Sequence, residues 1–150
     1  MSLLIKVALI HYQFERAGRF SEGLAVFSNG NTYGYINTKG AYKINPQYDN
    51  AYNFMNGLAI VQSGNQWGII NKKGSYVVNP QFNDAIQLVP RCPITIEQGG
   101  KVGFINKKGK IIINPQFEYG FFVAKDFGIV MSDGKWGFIN HTGKYICNPQ

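Results

Sequence analysis

Charge and cysteine are both scarce in this chain. Asp, Glu, Lys and Arg make up 15% of its 150 residues, and Cys92 and Cys147 are its two cysteines. So little charge argues against a helical bundle or coiled coil, which needs Ala, Glu, Lys and Leu in heptads. Two cysteines cannot frame a disulfide-rich fold and their separation fits no zinc pattern, so one optional disulfide is the most they allow. Missing too is any apolar run of the length a membrane helix requires, and no membrane insertion is expected. The apolar stretch at residues 2–10 is short, is interrupted by Lys6 and is followed by no small-residue cleavage site. It therefore reads as folded structure, and a cytoplasmic chain is favoured.

What is present points to β-structure. The chain is 45% hydrophobic and 15% aromatic, with 11 Phe, 9 Tyr, 2 Trp and 18 Gly. Such aromatic content excludes wholesale disorder, and the length suffices for one domain with a real core. A fixed period then decides the reading. Asn-Pro-Gln occurs at Asn45-Pro46-Gln47, Asn79-Pro80-Gln81, Asn114-Pro115-Gln116 and Asn148-Pro149-Gln150, in steps of 34, 35 and 34 residues. Ile-Asn keeps the same clock at Ile36-Asn37, Ile70-Asn71, Ile105-Asn106 and Ile139-Asn140. Each pair follows a glycine (Gly34, Gly68, Gly103, Gly137) and precedes another (Gly40, Gly74, Gly109, Gly143). Gln13-Phe14-Glu15 matches Gln47-Tyr48-Asp49, so the chain start reads as the tail of a preceding unit, with a strand at residues 7–10. The organisation expected is a single repeat domain over 1–150, with a partial unit at 1–19 and units at 20–53, 54–87, 88–121 and 122–150. Because Gln150 stops where other units continue with Tyr or Phe, a piece of a longer array is expected.

These residues resemble the WG repeat family of bacterial tandem β-repeats, whose unit has an aromatic-Gly pair, Ile-Asn, a Lys-Gly turn and Pro-Gln-aromatic. The pair is literal at Trp67-Gly68 and Trp136-Gly137, becomes Tyr33-Gly34 in the first unit and is lost at Val102-Gly103. Gly-Leu-Ala, also typical, stands at Gly23-Leu24-Ala25 and Gly57-Leu58-Ala59. The resemblance implies a tandem-repeat scaffold and leaves its partner open.

The unit can also be derived directly. Leu24-Ala25-Val26-Phe27, Tyr33-Gly34-Tyr35-Ile36 and Tyr42-Lys43-Ile44 are three strand-length apolar runs. Gly and Asn clusters between the first two predict tight hairpins. Asn37-Thr38-Lys39-Gly40 and its equivalents, with Asn first and Gly fourth, predict a type I turn in which the Gly forms a bulge. Asn-Pro-Gln is expected to end the third strand, since proline cannot donate to the ladder. Phe14, Tyr48, Phe82 and Phe117, then Phe20, Phe54 and Leu88, would anchor each connection. The fold expected is all-β: three-stranded antiparallel meanders stacked in an open solenoid-like array, with a propeller-like ring as the alternative. Uncapped ends would invite self-association.

Site residues are sparse. His11 and His141 fall in drifted repeat slots and lack motif partners. Glu15, Asp49 and Glu118 recur after Gln-aromatic, which suits accepting a backbone N–H better than acid–base work. The remaining acids show no metal-ligand spacing, no phosphate-binding loop is present, and neither metal nor cofactor is predicted. Cys147 occupies the slot of Ile44, Val78 and Ile113 and is expected in the core. Cys92 lies in the segment whose extra residue makes the 35-residue step, read as a tolerated insertion. Tyr33, Trp67 and Trp136 share one slot and are read as packing residues rather than a ligand ladder. The net charge of +7 gathers at the turns: Lys39, Lys72, Lys73, Lys107 and Lys108 would align as a basic edge. The function expected is a non-enzymatic scaffold for protein–protein interaction; the alternative is a cell-surface or cell-wall polysaccharide-binding module. Nucleic acid is disfavoured because the cations are mostly Lys rather than Arg.

Overall fold

The computed structural model describes residues 16–87 and 91–150. The expected strand at 7–10, His11, Phe14, Glu15 and the anchor Leu88 lie outside the described residues. Among those described there is no helix, and the strands form four antiparallel four-stranded sheets, each in chain order. Sheet 1 holds β1 (Arg16–Ala17), β2 (Leu24–Ser28), β3 (Tyr33–Asn37) and β4 (Tyr42–Tyr48). Sheet 2 holds β5 (Asn50–Ala51), β6 (Leu58–Ser63), β7 (Gln66–Asn71) and β8 (Tyr76–Phe82). Sheet 3 holds β9 (Asp84–Gln87), β10 (Ile94–Gln98), β11 (Lys101–Ile105) and β12 (Ile111–Phe117). Sheet 4 holds β13 (Tyr119–Ala124), β14 (Phe127–Ser132), β15 (Lys135–Ile139) and β16 (Tyr145–Cys147).

The three-stranded meander is present in every sheet, and the structure adds a fourth strand. The connector after Pro-Gln-aromatic does not merely link units; its residues pair with the first apolar run of the next, as Asn50↔Gln62 and Ala51↔Val61 do. Each sheet therefore starts just after the aromatic, a few residues ahead of the phase given by the repeat units.

The third strand also differs from expectation. In sheets 1, 2 and 3 it continues through Asn-Pro-Gln to the aromatic, while in sheet 4 it ends at Cys147 as expected; in sheet 1 Tyr35 pairs with Ile44 and Tyr33 with Tyr48, so two residues of β3 span four of β4. That mismatch is a bulge, and it holds the proline on an edge strand where its missing N–H breaks no ladder. The bulge lies directly on the glycine of the aromatic-Gly pair. A Cβ at Gly34 would stand 2.6 Å from the Ile44 carbonyl oxygen and 2.8 Å from the Pro46 nitrogen. Gly68 and Gly103 meet Pro80 and Pro115 in the same way, and Gly137 meets Pro149 less tightly.

Sheets pack face to face. One core joins sheets 1 and 2 through Val26, Tyr35, Ile44, Phe54, Val61 and Ile70. A second joins sheets 2 and 3 through Ile60, Ile69, Val78, Ile94, Ile96 and Ile105. A third joins sheets 3 and 4 through Phe104, Ile113, Phe117, Phe122, Val130 and Ile139. This explains the unbroken apolar runs: neighbours on β6 turn alternately to the sheet before and the sheet after, so both faces are dry. Fully burying each such side chain contributes about 1.5–3 kcal/mol. Among the described residues no core joins sheet 4 to sheet 1, so the four described sheets form an open array.

Cys147 departs from its slot. Ile44, Val78 and Ile113 are buried beneath the turn glycines Gly74, Gly109 and Gly143 of the following sheet, whereas no described residue covers Cys147, which is exposed. No helix among the described residues is long and apolar enough to cross a membrane.

Candidate functional surface

The turn between the second and third meander strands is built identically four times. Gly40 donates its N–H to the Asn37 carbonyl at 2.9 Å, and Gly74, Gly109 and Gly143 repeat this with Asn71, Asn106 and Asn140 at 2.9–3.0 Å. Each of these glycines has φ between 79° and 85°, the left-handed conformation that closes a type I turn with a bulge. The Asn side chain then locks the turn from outside. Asn71 Oδ1 accepts the N–H groups of Lys73 at 2.8 Å and Ser75 at 3.2 Å, and the other three asparagines accept equivalent pairs.

Because Gly74 sits over Ile44, Gly109 over Val78 and Gly143 over Ile113, these three turns bear the same relation to the preceding sheet. The turns consequently follow one another along one side of the stack. On them Lys39, Lys73, Lys107 and Lys108 are exposed. Lys72 is different: its Nζ lies 3.1 Å from Glu22 Oε2 and donates to the Glu22 carbonyl oxygen, tying sheet 2 to sheet 1. The same Glu22 carboxylate accepts the Gly57 N–H at 2.9 Å. Partial burial opposes its ionisation, but the Gly57 amide and Lys72 outweigh that and hold the carboxyl below its ordinary range. Of the five lysines named from sequence, four are thus exposed on these turns and Lys72 is a junction residue.

The periodic carboxylates among the described residues, Asp49 and Glu118, each accept backbone N–H groups. Asp49 Oδ2 accepts the Gly64 N–H at 2.7 Å, and Glu118 accepts the N–H groups of Asp133 and Gly134 at 2.9 and 3.1 Å. Both brace a two-residue hairpin whose central residues have positive φ, Gly64-Asn65 and Asp133-Gly134. Tyr35 donates its hydroxyl to the Tyr52 carbonyl at 2.7 Å across the first junction, and burial, with Tyr48 nearby, raises its pKa. Burial, assisted by Tyr76, likewise pushes Tyr48 up to about 12.

The aromatic slot divides. Tyr33 and Trp67 are half-buried against the first and second cores, Trp67 meeting the Tyr52 ring at 5.5 Å. Val102 is buried. Trp136 is 46% exposed, its ring edge-on to the exposed Tyr119 at 5.9 Å, so here the packing reading fails.

The insertion residues Arg91, Cys92 and Pro93 line a cavity of about 350 Å³ between sheets 3 and 4. Lys107, Lys125, Asp126 and His141 face the same space. His141, without a partner in the sequence reading, has its Nδ1 2.8 Å from Asp126 Oδ1. Cys92 is buried and its thiol is pushed up by desolvation, which disfavours the thiolate. Sequence alone missed this grouping because its members come from two units and its key residues break the repeat. Among the described residues, no three His, Cys, Asp or Glu side chains gather as a metal-ligand group.

The family model described as WG containing repeat matches residues 8–33, 33–67, 67–86 and 103–136. No curated protein shows significant similarity to the chain.

Proposed function

Since the chain belongs to the WG containing repeat family, a tandem β-repeat architecture, we propose that it is a non-enzymatic scaffold that binds an acidic protein surface along its row of Asn-locked turns. The observation that supports this is the repetition of one rigid turn per sheet, each on the same side of the stack, with Lys39, Lys73, Lys107 and Lys108 exposed on it. A locked backbone removes much of the ordering cost of binding, and a line of like charges adds long-range attraction to an acidic partner. The net charge of +7 acts in the same sense.

Affinity capture from source-cell lysate and envelope fractions tests the reading. The chain is compared with a variant carrying Lys39→Glu, Lys73→Glu and Lys108→Glu, which leaves the junction lysine Lys72 and the cavity lysine Lys107 in place. A defined protein retained by the parent and lost by the folded variant is the expected result. Equal capture by both contradicts it.

A second reading, polysaccharide binding, is favoured by the exposed Trp136–Tyr119 pair. Retention on insoluble wall polymer regardless of the lysines, with loss in Trp136→Ala, is its distinguishing result.

A further inference from the structure

The cavity between sheets 3 and 4 departs from the repeat in one informative way. Glu22, Asn56 and Arg91 are the same hairpin position in sheets 1, 2 and 3, and all three have positive φ, of 53°, 53° and 65°. Lys72, Lys107 and His141 are the same turn position in sheets 2, 3 and 4. At the first junction these two positions close on each other as the Glu22–Lys72 ion pair. At the last junction a cation, Arg91, replaces the carboxylate, and the space it faces is open.

Arg91, Lys107 and Lys125 line that space, with Asp126 as the carboxylate among the described lining residues. Asp126 is engaged with His141, and none of the three cations is paired with a carboxylate among the described residues. Three cations and one carboxylate leave two positive charges, with His141 counted as neutral. Arg91 holds a left-handed backbone that Gly or Asn adopts more cheaply, so its place there is not explained by local conformation. It also belongs to the segment between 86 and 103 that the family pattern leaves unmatched.

We infer that this cavity binds a small dianion, a phosphate monoester or a dicarboxylate, whose charged group takes the place that the Glu22 carboxylate holds at the first junction. The Arg91 fork suits either group, since both offer paired oxygens. A phosphate monoester carries about −1.5 to −2 charges at neutral pH, matching the local excess. Ile112 and Pro93 give the carbon body an apolar wall, and the volume of about 350 Å³ falls within the range of small-molecule sites.

Titration calorimetry at low ionic strength on the whole chain tests this, with phenyl phosphate, succinate and, as monoanion control, acetate. The expected result is saturable binding of at least one dianion, at least about tenfold tighter than acetate. Arg91→Glu, which restores the carboxylate of the first junction, should weaken it at least about tenfold, while Lys39→Glu on the turn row leaves it unchanged. Should Arg91→Glu fail to fold, Lys125→Ala serves with the same expectation. Binding of phenyl phosphate alone identifies a phosphate site, and of succinate alone a dicarboxylate site. No saturable binding of either dianion up to about 10 mM, or equal binding by a folded cavity variant, overturns the inference.

Discussion

Gly34, Gly68, Gly103 and Gly137 lack a side chain because another part of the backbone already occupies its place. Their φ values are ordinary, so the requirement is steric rather than conformational, and it comes from the Asn-Pro bulge on the neighbouring strand. The turn glycines Gly40, Gly74, Gly109 and Gly143 are required by conformation, with φ between 79° and 85°, and at Gly109 a Cβ would in addition stand 2.7 Å from the Val78 side chain. Gly68→Ala should therefore destabilise the chain by about 1–3 kcal/mol through overpacking against the Val78 carbonyl and Pro80, as read by urea denaturation. An unchanged midpoint would show that the bulge can move aside. The sequence displayed both sets of glycines in register but not the reason for the first. That reason is a contact across the β3–β4 register shift, visible only once the bulge is known.

Among the elements, the third strand and the connector are where pattern reading and structure part. Pro and Asn look like strand breakers, yet on an edge strand a bulge accommodates them, and the connector is short enough to be read as a link although it pairs. The turns were more legible, because Asn first and Gly fourth act within a few residues of one another. Contacts between neighbouring sheets were not legible, since Glu22 and Lys72 lie in different units. Their pair has a pH signature. The Glu22 carboxyl is held below its ordinary value, so its contribution is present above about pH 4.3 and is lost as pH falls through the folded-state value. At neutral pH the parent should melt above Glu22→Gln, and the gap should close as the buffer is taken below about pH 4. A gap that persists in acid would mean that the charge on Glu22 contributes nothing to the junction.

The described residues form a stack in which sheets 1, 2 and 3 each share a core with the next, and both proposed surfaces are consequences of that stacking. The turn row follows from the turns at Gly74, Gly109 and Gly143 each resting on the preceding sheet, and the cavity lies at the last junction, where the cation Arg91 stands in the position that Glu22 holds at the first. Period, glycine register and apolar runs made the repeat and its all-β character legible from sequence, whereas open array and ring were both left standing. The cavity was not legible, because it is formed by the residues that break the period. The stacking itself is tested most directly by nuclear Overhauser spectroscopy on the labelled chain. Cross-peaks are predicted between the α-protons of Gly74, Gly109 and Gly143 and the methyl groups of Ile44, Val78 and Ile113 respectively. Absence of all three, with cross-strand contacts inside each sheet intact, would contradict the face-to-face stack and with it both surfaces.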